Sequence, residues 1–197
     1  LREVAALWQT IDQDPKLAQF IDDLHRHHQL KNRKVIIFTE SSETAHYLYD
    51  RLEAEFPQQV LQFASGGGMM HGDTISKQVA RDIIRENYDP RNRNQTDGIR
   101  ILITTDVLAE GVNLHRSNIV INYDLPWNPT RVLQRVGRVN RVGTEHENVY
   151  IFNFFPAAQT SEHLGLEENV KRKMRAFHDM LGEDARVDHG HDDVVVT

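Results

Sequence analysis

The chain has 197 residues, 39% of them hydrophobic and 26% charged, enough for one globular domain with a core of its own and too apolar for a disordered chain. It contains no cysteine, which excludes disulfide frameworks, thiolate zinc sites and a cysteine nucleophile. Its 23 Lys and Arg stand against 29 Asp and Glu, a net charge of −6, and that balance taken alone argues against a nucleic-acid partner.

The first residue is Leu1 rather than Met, so the chain reads as a piece of a longer one, with residues 1–13 as a connecting segment. The longest apolar run, Val4 to Trp8, is five residues, too short for a membrane span or a secretion signal. No membrane partner and a cytoplasmic location are therefore expected. Asp14-Pro15 pairs a cap residue with a proline at the first helical position, and Leu17, Phe20, Ile21 and Leu24 follow at helical spacing. Val35 to Phe38 is a short apolar strand. Ser41-Ser42 then opens a second helix carrying Ala45, Leu48, Tyr49 and Leu52. Val60 to Phe63 is the next strand, and a third helix is expected after Asp73-Thr74, with Ile75, Val79, Ile83 and Ile84 on its apolar face. Asn87 to Gly98 is polar and reads as a long surface loop. Strands follow at Ile101 to Ile103, Ile119 to Ile121 and Val149 to Phe152, with a helix after Asn128-Pro129 between the last two. Val170, Met174, Phe177 and Leu181 mark a final helix, and the acidic end beyond Gly182 is expected to fray. Near-continuous apolar strands alternating with amphipathic helices predict an α/β fold: a mostly parallel sheet with helices on both faces.

Three signals fail on inspection. Gly67 to Thr74 has the Gly-x4-Gly spacing of a phosphate loop, but Asp73 stands where that loop needs a lysine, and a carboxylate there repels phosphate. His25, His27 and His28 are too close in sequence for one helical face, and His189 and His191 fall in the tail, so no metal site is expected. Asn94-Gln95-Thr96 is a glycosylation acceptor by pattern only.

The informative stretch is Pro126 to Gly143. At about 100° per residue, Arg131, Arg135, Arg138 and Arg141 share one side of a helix while Val132, Leu133, Val136 and Val139 share the adjoining one. No acidic residue lies within the stretch, so the guanidinium stripe is expected to meet an external anion. Arginine suits phosphate because its planar fork gives bidentate contacts and keeps its charge. Gly137 leaves room for a close approach. A second stretch, Ile101 to Leu114, ends a buried strand in Thr104-Thr105-Asp106, at the carboxyl edge where open α/β sheets bind ligands.

Together these residues resemble the C-terminal RecA-like lobe of superfamily-two helicases and translocases, over about Asp14 to Phe155. Gln134-Arg135-Val136-Gly137-Arg138-Val139-Asn140-Arg141 is similar to that family's sixth motif, Thr104 to Leu114 to its fifth, and Val35 to Thr39 to its fourth. His71-Gly72-Asp73 and Gln78-Val79-Ala80-Arg81 are similar to the His-Gly and Gln-x-x-Arg elements of DEAD-box enzymes. The resemblance implies a three-layer RecA-like lobe at 14–157, with 158–197 a C-terminal helix and acidic tail. It implies ATP with Mg2+, held mainly by an N-terminal RecA-like lobe of the same chain. Arg138 and Arg141 would be arginine fingers, with Gly111, Asn113, Gln134 and Arg135 also at the nucleotide. Asp106 would make a linking salt bridge, and Thr105, Gly72, Gln78 and Arg81 would touch nucleic-acid backbone. The piece alone is expected to hydrolyse no ATP. Asn122 to Pro129 is most similar to Swi/Snf-type and RapA-like translocases, which favours a double-stranded DNA track. The alternatives are a DEAD-box-like RNA helicase lobe and a helicase-like scaffold or nucleic-acid-binding module without catalysis.

Overall fold

Why the strands lie in the middle follows from their composition: Val35–Phe38, Ile101–Thr104 and Ile119–Asn122 are buried at every position, as strands covered on both faces must be. The computed structural model describes residues 14–109, 112–126, 128–139, 146, 148–154, 185–188 and 193–196. Among these the strands are β1 (Val35–Phe38), β2 (Val60–Ala64), β3 (Gly67–Met70), β4 (Asp73–Ile75), β5 (Ile101–Thr104), β6 (Ile119–Asn122), β7 (Val149–Asn153), β8 (Ala185–Asp188) and β9 (Asp193–Val196). They form one sheet in the order β4-β3-β2-β5-β1-β6-β7-β9-β8. The five central strands run parallel, and both edges are antiparallel.

Among the described residues four α-helices cover the sheet: α1 (Pro15–Arg26), α2 (Ser42–Glu55), α3 (Lys77–Tyr88) and α4 (Pro129–Val139). Alternation along each strand divides the core in two. Val35, Ile37, Ile101, Ile103, Ile119 and Ile121 pack with Leu17, Phe20, Leu24, Leu48, Tyr49 and Leu52 of α1 and α2. Ile36, Phe38, Leu61, Leu102 and Val120 pack on the other face with Ala80, Ile84, Tyr88, Val132, Val136 and Val139 of α3 and α4. The first two helices start where their caps predict, with Asp14 accepting from the Lys16 and Leu17 amides and Ser41 from Thr44.

The third helix departs from expectation. Asp73-Thr74 opens no helix: Asp73–Ile75 is strand β4, and Ser76 caps α3 by accepting from the Val79 amide. The inward positions are Ala80, Ile84, Asn87 and Tyr88, leaving Val79 at 47% exposure. The cause is a pair of hairpins. Met70 pairs with Asp73 across His71-Gly72, whose φ values of 53° and 82° suit a turn with two left-handed positions. Gly68 is demanded by contact, since a Cβ there would lie 2.9 Å from the Ala80 Cβ.

The polar segment after α3 is exposed but tied down. Asn87 itself is buried, accepting from the Ile99 amide at 2.9 Å, while Asp97 pairs with Arg116 at 2.6 Å and Lys34 at 3.1 Å. At the far end the expected frayed tail is corrected. β9 runs antiparallel to β7, with Val149 opposite Val196, and β8 pairs with β9, so these β-branched residues prolong the sheet. The helix expected around Val170 to Leu181 lies outside the described residues.

Candidate functional site

Asn128 builds α4 as predicted, accepting from the Thr130 amide at 3.0 Å, and Val132, Val136 and Val139 are buried against the sheet. This places the arginines over the carboxyl edge, where β1 runs into Thr39-Glu40, β5 into Thr105-Asp106, and β6 ends at Asn122.

The described arginines of the stretch, Arg131, Arg135 and Arg138, do not form one open stripe. Arg135 is only 2% exposed, and each of its nitrogens has a partner: Nε donates to Asp106 at 2.7 Å, one terminal nitrogen to Asn122 at 2.9 Å, and the other to Glu40 at 2.7 Å. Its guanidinium lies 5.0 Å from the centre of the Phe38 ring. Arg131, half exposed, reaches the second oxygens of the same carboxylates, 3.3 Å from Asp106 and 3.4 Å from Glu40. The expectation that these arginines lack counter-charge is therefore corrected. The absence of acid within the α4 stretch is offset by carboxylates brought from β1 and β5. Asp106 does make the linking salt bridge that the resemblance implies, and Asn122 carries the network on to Asn153 of β7 at 2.9 Å. Glu40, Asn122 and Phe38 are the members that sequence reasoning missed.

Arg138 lies one turn beyond, partly exposed, with no ion pair among the described residues. A Cβ added at Gly137 would meet nothing within 4 Å among the described residues. Gln134 is exposed. Arg141 and Gly111 lie outside the described residues. Thr105 is partly exposed, its carbonyl accepting from the Leu108 amide at 3.3 Å. Asn113 is engaged elsewhere: its amide donates to Asp89, the C-cap of α3, at 3.3 Å.

A second group lies toward the β4 edge. Gln78 donates to both oxygens of Asp82 at 3.0 and 2.9 Å, one turn on along α3. Arg81 sits 6.0 Å from the centre of the Phe63 ring. Gly72 belongs to the β3–β4 turn, and its amide donates to the Tyr49 hydroxyl at 2.8 Å. The predicted residues thus fall in separate places: Gln134, Arg135 and Arg138 with Asp106 at the carboxyl edge, Gln78 and Arg81 on the first turns of α3, and Gly72 at the amino edge, tied to α2 on the opposite face.

Comparison with known proteins agrees with this geometry. Residues 15–143 match the model of the helicase conserved C-terminal domain. The chain is 33% identical over 173 residues to the uncharacterized ATP-dependent helicase YqhH of Bacillus subtilis, covering 88% of this chain and 27% of that protein. It is 33% identical over 140 residues to the ATP-dependent RNA helicase eIF4A of Yarrowia lipolytica, covering 71% of this chain and 29% of the relative. The chain thus spans between a quarter and a third of the length of these relatives. Among solved structures, the C-terminal domain of the DEAD-box protein Dbp5 aligns over 87% of this chain and 81% of its own, at 22% identity and a TM-score of 0.57. The C-terminal part of the Fun30 ATPase domain aligns over 78% of this chain and 45% of its own, also at 22% and 0.57. These two likenesses show the shared RecA-like fold. With its sheet order, its anchored arginine helix and a match across 15–143, the chain belongs to the helicase conserved C-terminal domain family.

Proposed function

We propose that the chain is the second lobe of an ATP-dependent nucleic-acid motor, contributing arginine to ATP carried by an N-terminal RecA-like lobe. One observation carries this reading. Arg135 is saturated by Glu40, Asp106 and Asn122 and so fixes α4, while Arg138, three residues on, has no ion pair among the described residues and stands beside the open face of Gly137. A guanidinium on an anchored helix, with no carboxylate partner among the described residues, suits a phosphate from outside the lobe. ATP with Mg2+ supplies a γ-phosphoryl group whose transfer is driven by positioning and charge neutralisation. Toward it Arg138 and Arg141 bring positive charge, with Gln134 beside them, while Arg135 orients the helix rather than touching phosphate. Because α4 sits on a separate lobe, the charge reaches the nucleotide only when the lobes close, which couples turnover to movement.

Arg138→Ala in the full-length protein is expected to cut nucleic-acid-stimulated hydrolysis by at least about 10², with ATP binding changed little. Steady-state turnover and nucleotide titration check it, and unchanged turnover removes the role.

For the track, the Asn122 to Pro129 segment supports a duplex-DNA translocase of the Swi/Snf or RapA-like kind. A second reading, an RNA helicase of the DEAD-box kind, is supported by the resemblance of His71-Gly72 and of Gln78 to Arg81 to that branch's elements and by relatives named RNA helicases, eIF4A among them. Stimulation of ATP hydrolysis by duplex DNA but not RNA favours the first, and the reverse favours the second.

A further inference from the structure

We infer that the amino edge of the sheet holds an anion site: a small cavity in which Arg100 receives a singly charged carboxylate carried on an apolar stem. The site lies at the opposite edge from the anchored arginines of α4 and goes beyond the motor reading.

Parallel pairing sets Gln59, just before β2, beside Arg100, just before β5, and the Arg100 amide donates to the Gln59 carbonyl at 2.9 Å. α1 and α2 end beside them. A cavity of about 200 Å3 opens there, lined by Leu24, Phe56 and Arg100, with Lys31, Asn32 and Gln59 around them. At about 30 Å3 per water it has room for one charged group and its stem, and it falls below the roughly 300 Å3 at which whole-ligand pockets begin.

Arg100 is the reason to expect an anion. Its half-buried guanidinium lies 4.5 Å from the centre of the Phe56 ring. One of its N–H donors meets the Leu30 carbonyl at 3.3 Å, and no carboxylate pairs with it among the described residues. Other cations of this edge are answered: Lys34 and Arg116 share Asp97, at 3.1 and 2.6 Å, and Arg33 is held by the side-chain oxygens of Gln29 and Asn118. Burial, the largest influence, draws the Arg100 pKa below its ordinary value, and the influence that opposes it is the Tyr88 phenol rather than a carboxylate. The group still keeps its charge. The carbonyl ends of α1 and α2 offset part of that charge as dipoles, without supplying a full anion.

The surroundings select the ligand. One guanidinium matches one negative charge, and its planar fork takes both oxygens of a carboxylate. Glu55, paired with His25 at 3.4 Å on the rim, disfavours a doubly charged phosphate. The buried Leu24 and Phe56 side chains offer an apolar wall that methylenes can use and a free phosphate cannot. The occupant is therefore a carboxylate on a short hydrocarbon stem, from a glutamate side chain of a peptide or from a small organic acid.

Saturation-transfer NMR on the full-length protein tests this, with butyrate and a blocked peptide containing a single glutamate as probes at constant ionic strength. Transfer to the stem methylenes of at least one probe is expected. Butyrate alone assigns a small acid, and tighter binding of the peptide assigns a protein segment. Arg100→Gln should weaken binding at least about tenfold, as loss of a charge-assisted pair would. Lys31→Glu, at an exposed side chain, should weaken it about threefold by setting a rival carboxylate on the rim, and it decides the matter if Arg100→Gln fails to fold. Arg138→Ala should leave binding unchanged, which separates this site from α4. Absence of transfer to both probes, or an affinity that neither Arg100→Gln nor Lys31→Glu changes, overturns the site. So does loss of binding in Arg138→Ala, and displacement of the carboxylates by a lower concentration of inorganic phosphate overturns the choice of ligand.

Discussion

Arg135 and Arg138 are the same residue type one helical turn apart, and their surroundings give them different work. Arg135 exchanges water for two carboxylates and an amide, while Arg138 has no ion pair among the described residues. Removing a partner from a buried ion network leaves the others uncompensated, which typically costs about 3–5 kcal/mol. Glu40 and Asp106 each retain 34% exposure, so solvent softens their loss and the lower end applies. Arg135→Ala should therefore lower the unfolding free energy by about 3 kcal/mol, read from a denaturant midpoint, and Arg135→Lys should recover only part of it because an ammonium cannot serve three acceptors in one plane. The arginines themselves were legible from helical spacing. Their neutralising partners were not, because the acceptors lie 95 and 29 residues away and meet Arg135 only through the order of strands.

Among the elements, periodicity served where an amphipathic face or a continuous apolar run existed. It located α1, α2, α4 and the five parallel strands. It failed at β3 and β4, where Gly67-Gly68-Met69-Met70 has little intrinsic strand preference and Asp73-Thr74 imitates a helix cap. Tertiary pairing with β2 decides that region, together with an α3 that sits close enough to exclude any side chain at Gly68. Gly68→Ala should destabilise the protein by about 2 kcal/mol, because its methyl would lie 2.9 Å from both the Ala80 Cβ and the Gln62 carbonyl oxygen. Val79→Ser on the same helix should change stability by less than about 0.5 kcal/mol, since Val79 is 47% exposed. Paired urea titrations of the two variants check both expectations. Beyond β7, β8 and β9 were hidden for a related reason: the acidic and histidine residues around them suggest solvation, and only the β7 edge gives Val194 to Val196 a partner.

For the whole molecule, tyrosines set the alkaline limit of the fold. Burial, the largest influence on each, raises Tyr47, Tyr49, Tyr88 and Tyr123 above their ordinary value near 10.0. Above about pH 10 the unfolded chain loses phenolic protons that the folded chain retains, so stability is full below that pH and falls as pH rises further. Lys16 and Lys34 act in the opposite sense. Burial lowers their pKa below 10.5, so the fold gains stability with rising pH until about 10.5, where that gain is complete. The net fall should thus emerge above about pH 10.5, with up to about 1.4 kcal/mol per pH unit from each phenol that stays protonated. Chemical unfolding between about pH 8 and 11.5 checks the sign, and Tyr88→Phe should make the decline shallower.

Clamped through Arg135 to three strands, α4 cannot turn without the sheet turning too. From β6, beneath α4, to β4 at the edge there are five strand intervals, roughly 24 Å at about 4.8 Å each. The lobe is in this sense a lever arm with its short end at Arg138 and its long end at the His71-Gly72 turn. A swing of roughly 10° about α4 would carry that turn through about 4 Å, so a small rotation at the arginine helix becomes a displacement of atomic size at the far edge of the sheet.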